Sequence, residues 1–145
     1  DRQLGDQQKG LNDMTVQEYM DGRNAFEAAG RGSGSVAQAA RDAFAADIQA
    51  QYQAQFMAQQ MSVAEAAAAA AVQTQRDMAT LAALHSPDQK AGGANIISGF
   101  GDKVVNSSIG GGWSSRVGAL DKAASAVPEG ARATTKMNAK LKRCK

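Results

Sequence analysis

The sequence predicts a mainly α-helical domain with a glycine-rich loop region at about residues 90–114, in which short strands can form. Three observations carry this prediction. Two segments match the capping box that begins many helices, and apolar residues recur at helical spacing between positions 36 and 56. Alanine, the strongest helix former, supplies 31 of the 63 apolar residues. The 145 residues suit one domain, whose core must be thin and built by close helix packing.

The N-terminal part of the chain predicts two helices. Residues 1–14 are polar and interrupted by two glycines, so no element is assigned to them. The capping box at 15–18 begins a short helix that ends at the glycine-rich joint 30–34. A long helix follows from Ser35 and carries one apolar residue every four positions, at Val36, Ala40, Phe44, Ile48, Tyr52 and Phe56. Each step drifts about 40° around the helix, so either several elements pack on this stripe in turn or the helix lies near the middle of the fold.

A second capping box at 62–65 begins another helix, predicted to run through the alanine block to about Leu84. Pro87 stops it, because proline cannot donate the next backbone hydrogen bond. In the glycine-rich region that follows, the pairs Ile96-Ile97 and Val104-Val105 are either brief strands or buried anchors of a loop.

Two further elements are predicted in the C-terminal part. One is a helix from about Ser115 to Ala126, closed by Pro128. The other is a basic, helical last element at roughly 131–142.

Charge is unevenly distributed along the chain. Residues 1–100 carry seven basic and eleven acidic side chains, whereas residues 101–145 carry nine basic and three acidic ones. A basic C-terminal third indicates an anionic partner such as nucleic acid. The alternative is a solvated tail whose lysines keep the chain soluble.

Several function classes are excluded. No stretch approaches the roughly 18 apolar residues that a membrane helix needs. Cys144 is the single cysteine, so an intrachain disulfide or a cysteine-based zinc site cannot form. The single histidine excludes mechanisms that need two, and no phosphate-loop or dinucleotide motif occurs. Because the chain starts at Asp1 without a signal region and ends on a basic stretch, we expect the C-terminal module of a larger protein.

His85 and Asp88 are the residues best suited to chemistry. With Pro87 at the second position of a tight turn, Asp88 is expected to fold back toward His85. The pair then suits a general base beside a metal-binding carboxylate, or a base with the residue that orients it. The alternative is a histidine at a helix end that interacts with the last carbonyls and the helix dipole.

The glycine-rich segment offers phosphate-binding groups. Its backbone amides can surround a phosphate, and Asn106, Ser107 and Ser108 add side-chain donors. Trp113 and Arg116 can stack on a base or contact a phosphate; a core tryptophan beside a surface arginine is equally compatible. If the glycines supply turns alone, this segment has no such role.

Four segments of the chain carry a family resemblance: Gly10–Tyr19, Ala83–Gly93, Phe100–Gly110 with Trp113, and Met137–Cys144. Together they resemble the type-15 polymorphic toxin domain, the HxxD-type DNase toxin at the C-terminus of bacterial secreted effectors, often of the type VI system. The resemblance covers most of the chain, and HxxD followed by Ala-Gly-Gly and then Gly-Asp-x-x-Val-Asn-Ser-Ser-Ile-Gly is more specific than HxxD alone.

The resemblance implies metal-dependent cleavage of DNA. Its motif histidine falls on His85, which would take a proton from water, and its motif aspartate on Asp88, a metal ligand or orienting group. Asp88, with Asp102, would hold a divalent ion that we expect to be Mg²⁺. Other residues of the second signature are candidates for supporting the site or binding phosphate: Asn106, Ser107, Ser108, Trp113 and Arg116. Basic residues expected to bind double-stranded DNA without sequence preference are Arg132, Lys136, Lys140, Lys142 and Arg143.

The resemblance also implies partners and a place of action. A toxin of this kind is delivered by a secretion apparatus through the rest of its effector and acts in the cytoplasm of the target bacterium. A cognate immunity protein holds it in the producer cytoplasm. No membrane insertion by this domain is expected. The competing prediction is a non-catalytic helical interaction module of a secreted protein, since the alanine-rich half needs no chemistry; a membrane-perturbing toxin is disfavoured because the helices lack bulky apolar faces.

Overall fold

The computed structural model describes residues 1–143, so Cys144 and the expectation placed on it lie outside the described part. Within residues 1–143 the fold is mainly α-helical, as predicted, with five α-helices and one two-stranded antiparallel sheet. The elements in chain order are α1 Arg2–Asp13, α2 Val16–Ala29, α3 Ser35–Ala58, α4 Val63–Thr80, β1 Leu81–Leu84, a 3₁₀ turn Gln89–Ala91, β2 Gly99–Asp102, α5 Lys103–Ser125 and a second 3₁₀ turn Glu129–Ala131.

The polar segment at the N-terminus forms α1, which sequence analysis did not assign. Its inward face consists of Gln3, Gln7 and Leu11, one helical step of four apart and all buried. Two glutamines on the buried face remove the apolar stripe by which a helix is recognised. Gly10 allows α1 to lie against the chain at 86–87, because a Cβ there would lie 2.5 Å from that backbone.

Both capping boxes are confirmed. Thr15 and Glu18 begin α2, and Ser62 and Glu65 begin α4, each with the reciprocal hydrogen bonds between side chain and backbone. The helix α2 ends at Gly30, which has a positive φ of 71°.

The stripe on α3 is covered by several elements in turn. Phe44 stacks on Phe100 of β2 with ring centroids 4.3 Å apart, and Tyr52 donates to Asp77 of α4. The alternative position in the middle of the fold is wrong, because α3 has no buried residue. Instead α3 and α4 form an antiparallel hairpin at one side of the domain.

The helix predicted to reach Leu84 ends four residues earlier. Leu81–Leu84 forms β1, which pairs antiparallel with β2 from Leu81–Asp102 to Leu84–Gly99. Neither Ile96-Ile97 nor Val104-Val105 forms the predicted strand or buried anchor. Ile96 is 68% exposed beside a half-buried Ile97, and both valines lie exposed in the first turn of α5. Although β1 consists of good helix formers, it adopts a strand because its backbone groups form hydrogen bonds with β2.

The helix α5 begins at Lys103, twelve residues before its predicted start. The Asp102 side chain accepts from the Val105 amide and caps it. The helix continues through the glycine triplet 110–112 because Trp113, which is fully buried, fixes it to the core. Around Trp113 the core gathers residues from α1, α2, α5 and the C-terminal segment, among them Leu11, Val16, Tyr19, Val117 and Met137.

The last basic element is not helical, contrary to prediction. Residues 132–134 form a turn, and from residue 135 the chain runs without helix along α1, with a bridge between Thr15 and Lys136. Its backbone groups bind Asn12 and Gln8, whose side chains contact Ala139 and Leu141. These partners replace the hydrogen bonds of a helix. Among the described residues, no helix is long and apolar enough to cross a membrane.

Candidate functional site

The HxxD turn lies between β1 and the first 3₁₀ turn. Gln7 of α1 holds both of its ends: Nε2 donates to the His85 carbonyl at 2.5 Å, and Oε1 accepts from the Asp88 amide at 2.7 Å. The Ser86–Pro87 peptide bond is cis. Gly93 closes over the turn so tightly that a Cβ there would lie 1.9 Å from the Pro87 carbonyl oxygen. The backbone of the turn is therefore held on one side by the Gln7 side chain and packed closely against Gly93 on the other.

The His85 ring lies against two amide side chains. Its Nε2 is 3.0 Å from Asn95 Oδ1 and 3.0 Å from Gln89 Nε2, and these two amides are 3.1 Å from each other. Within residues 1–143 the structure gives Nδ1 of His85 no hydrogen-bond partner. The prediction of a histidine at a helix end is wrong, because His85 follows a strand. Its Nδ1 is the ring nitrogen that neither amide engages.

The Asp88 carboxylate has other partners than the His85 ring. It lies 3.0 Å from the guanidinium of Arg31, and its Oδ1 accepts from the Lys90 amide. The side chain is 13% exposed, whereas that of Arg31 is half exposed on the joint between α2 and α3. His85 and Asp88 thus share one turn as expected, but their side chains are not hydrogen-bonded to each other. Asp88 does not orient the His85 ring in this arrangement.

The structure does not bring Asp102 and Asp88 together. A Cβ on Gly110 would lie 3.9 Å from Asp88 Oδ2, so Asp88 faces the middle of α5. Asp102 caps the start of that helix eight residues earlier, about 12 Å away at 1.5 Å per residue. One ion cannot bind both carboxylates at that separation. Within residues 1–143 no group of three His, Cys, Asp or Glu residues is arranged to hold a metal.

The other residues of the second signature lie along α5. Ser107 is exposed and donates to the Lys103 carbonyl within the helix, and Asn106 is half-buried. Ser108 and Arg116 line a cleft of about 340 Å³ with Asp1 and Arg143. Trp113 is fully buried, with the Arg116 guanidinium 5.9 Å from its ring centroid, so a core tryptophan beside a more exposed arginine describes this pair.

The predicted DNA-binding residues are not equivalent. Arg132 donates to the carbonyl of Ser125 at the end of α5 and to that of Val127 just after it. Lys136 donates to the Asp13 carbonyl. Arg143 forms an ion pair with Asp1. Lys140 and Lys142 are exposed. The α1 helix lies between these residues and the HxxD turn, since Gln7 holds the turn and Asn12 the C-terminal segment.

A charged network joins α2, α5 and the first 3₁₀ turn. Arg23 of α2 forms a bidentate contact with Asp121 of α5 and donates to the Lys90 carbonyl of the 3₁₀ turn. Tyr19 also donates to Asp121. The hydrogen bonds from Arg23 lower the pKa of the Asp121 carboxyl despite its partial burial, whereas burial raises the pKa of the Tyr19 phenol. The network thus joins α2 and α5 to the 3₁₀ turn that directly follows Asp88 in the chain.

Sequence reasoning missed the residues that hold the site, namely Gln7, Arg31, Gln89 and Asn95. Glutamine and asparagine have no spacing rule that marks them as partners of a distant turn. Arg31 carried one signal, since a cation inside a glycine-rich joint is free to approach a carboxylate.

Comparison with known proteins gives one family. The family model described as "Novel toxin 15" matches residues 1–144. No curated protein matches the chain.

Proposed function

The chain belongs to the Novel toxin 15 family, a polymorphic toxin domain, and on that premise we propose that it is a metal-dependent DNase that hydrolyses phosphodiester bonds in competing bacterial cells. One observation supports this function best: the turn that Gln7 fixes carries both His85, whose Nδ1 has no hydrogen-bond partner within residues 1–143, and the Asp88 carboxylate. A free imidazole nitrogen can take the proton of an attacking water. The Asp88 carboxylate, in the same turn, can hold a cation near the phosphate.

The residues present fit one type of metal binding. Mg²⁺ is commonly held by one or two carboxylates, its other ligands being water and substrate phosphate. Asp88 supplies one such carboxylate, and it already has a cation, the Arg31 guanidinium, at 3.0 Å. A bound divalent ion would polarise the phosphoryl oxygen and offset the charge that develops during hydrolysis. Arg31, on its exposed joint, can leave Asp88 and contact a phosphate.

DNA binding is proposed for the exposed part of the basic C-terminal segment. Lys140 and Lys142 are the residues best placed to contact phosphates, because Arg132 and Lys136 already bind backbone carbonyls. Such contacts carry no sequence information, so double-stranded DNA would be bound without sequence preference.

The partners follow from the toxin role. A cognate immunity protein would bind in the producer cytoplasm and cover either the His85–Asp88 turn or the basic surface. The remainder of a larger effector would pass the domain through the secretion apparatus into the cytoplasm of the target cell. A complex with the immunity protein that cleaved DNA at full rate would contradict this placement of the partner.

Plasmid digestion by the purified protein tests the function. Cleavage is expected with Mg²⁺ and not with chelator, and His85→Ala and Asp88→Asn are each expected to abolish it. Asp88→Asn keeps the acceptor for the Lys90 amide and removes the charge. Asp47→Asn, on the exposed face of α3, is the matched control and should cleave normally.

Far-UV circular dichroism must show unchanged helix content in every variant. Intact plasmid with all divalent metals, from wild-type protein with native helix content, would refute the nuclease. It would favour a non-catalytic interaction module, for which the α3–α4 hairpin is the extended surface.

A further inference from the structure

Two amide side chains surround one nitrogen of the His85 ring, and their orientations are fixed by the main chain. Gln89, which is buried, uses Oε1 to accept from the Gly32 amide at 2.7 Å, so its NH₂ group faces His85. Asn95 uses Nδ2 to donate to the Ser33 carbonyl at 3.2 Å, so its Oδ1 faces His85. Reversing either amide would place two donors or two acceptors against each other.

The contact of Asn95 with the joint is close. A Cβ on Gly32 would lie 2.6 Å from Asn95 Nδ2, so glycine at this position allows the Asn95 side chain to lie against the backbone of the joint. The joint at 32–33 thereby orients both amides, although it lies more than fifty residues from His85 in the chain.

The three facing atoms form a nearly equilateral triangle, with sides of 3.0, 3.0 and 3.1 Å between His85 Nε2, Asn95 Oδ1 and Gln89 Nε2. The angle at Gln89 Nε2 is therefore about 60°, whereas the two hydrogens of an amide NH₂ group point about 120° apart. Gln89 can therefore point one hydrogen straight at Asn95 Oδ1 or at His85 Nε2, whereas donating to both at once bends each hydrogen bond by about 30°.

Counting hydrogen bonds distinguishes the two neutral tautomers of the ring. If Nε2 carries the proton, Asn95 Oδ1 accepts from His85 and from Gln89, one bond for each of its lone pairs. If Nδ1 carries the proton, Gln89 donates to Nε2, and the Nε2 and Oδ1 lone pairs face each other at 3.0 Å. The first tautomer has two hydrogen bonds that can both be straight, and it brings two N–H donors within 3.0 Å of each other. The second has one straight hydrogen bond or two bent ones, and it brings two acceptor lone pairs within 3.0 Å of each other. The straight pair of hydrogen bonds favours the first tautomer.

We propose that Asn95 is a positioning residue that holds His85 in the Nε2–H tautomer, so that Nδ1 is the nitrogen that accepts the proton from water. Gln89 supports it by binding the second lone pair of Asn95 Oδ1. The role of Nδ1 in accepting a proton rests on the proposed nuclease function. The tautomer itself is a property of the free protein and does not depend on that function. Asn95 occupies the role that sequence analysis left open for Asp88 as the orienting group.

Nuclear magnetic resonance of the ¹⁵N-labelled chain reads the tautomer directly, because His85 is the single histidine. Long-range ¹H–¹⁵N correlations, recorded at a pH where the ring is neutral, distinguish the protonated nitrogen from the bare one. We expect the Nε2–H form alone in the wild type and a mixture of forms in Asn95→Ala. Asn24→Ala, an exposed asparagine on α2, should match the wild type.

A wild-type spectrum of the Nδ1–H form would overturn the proposal, as would an unchanged single form in Asn95→Ala. If Asn95→Ala lacks native Trp113 fluorescence, the tautomer found in the wild-type spectrum tests the proposal by itself. In the cleavage assay Asn95→Ala should lower kcat about 10–100-fold, the range typical of a lost orienting contact, with KM unchanged. A wild-type protein that does not cleave DNA refutes the nuclease, and the tautomer spectra still decide the inference.

Discussion

Replacing Gln7 by methionine should loosen the HxxD turn and destabilise the whole domain. Gln7 is 4% exposed, and its side chain supplies the partner of the Asp88 amide at 2.7 Å and of the His85 carbonyl at 2.5 Å. Methionine has a similar volume and helix propensity, so the change removes the two hydrogen bonds and leaves little cavity. Each buried polar group without a partner costs about 1–3 kcal/mol.

Because the turn is partly buried, water can reach some of the released groups, and the lower part of that range applies. We expect Gln7→Met to reduce the free energy of unfolding by about 2–3 kcal/mol, which for a chain of this size lowers Tm by roughly 6–12 °C. Urea unfolding followed by the fluorescence of the fully buried Trp113 measures the change. The control is Gln17→Met, whose side chain bonds Asp21 on the surface and should cost under about 0.5 kcal/mol. Equal effects of the two substitutions would refute the assigned role of Gln7.

Three further predictions concern charge and backbone. The pKa of Asp121 is lowered by hydrogen bonds from Arg23, so its contribution to stability is present above the unfolded-state pKa of about 4 and is lost as pH falls through the folded-state pKa. Tm measured from pH 5 to pH 2 should thus fall more steeply in the wild type than in Asp121→Asn; parallel curves would contradict this. Arg31→Gln should tighten divalent-ion binding in a calorimetric titration without DNA, because it removes the cation 3.0 Å from Asp88; weaker or unchanged binding would exclude this competition. Gly5→Ala, with open space around the added Cβ inside α1, should raise the free energy of unfolding by about 0.5–1 kcal/mol in urea, and a decrease would mean that α1 is strained there.

Helix starts were predictable from sequence where the signal is local. The capping boxes at Thr15 and Ser62 place a hydroxyl and a carboxylate three residues apart, and both groups bind the first turn of the helix that follows. Such a signal needs no distant partner. The same holds for the ends of α2 at Gly30 and of α5 near Pro128, where the residue type itself limits the backbone.

The failures share another physical cause. Leu81–Leu84 consists of good helix formers, but its backbone pairs with Gly99–Asp102, nearly twenty residues away. The basic segment after 131 looks helical by itself, yet Asn12 and Gln8 bind its backbone from more than 120 residues away. In each case a distant partner supplies the backbone hydrogen bonds that local sequence would have formed within a helix.

The candidate site shows the same division between local and distant effects. His85 and Asp88 were found because a histidine, a proline and an aspartate within four residues restrict one another locally. What holds them is distant: Gln7 fixes the turn, and Gln89 and Asn95 surround Nε2 of the ring. Amides suit this task because each supplies a donor and an acceptor without charge, so one end can bind the main chain while the other faces the ring. A carboxylate at position 95 would accept the same proton and also add negative charge beside Asp88, where the proposed function needs a cation to be held by that one carboxylate. In the proposed function, the combination of neutral amides around His85 and a single charged group at Asp88 would therefore keep proton acceptance and cation binding on separate residues of one turn.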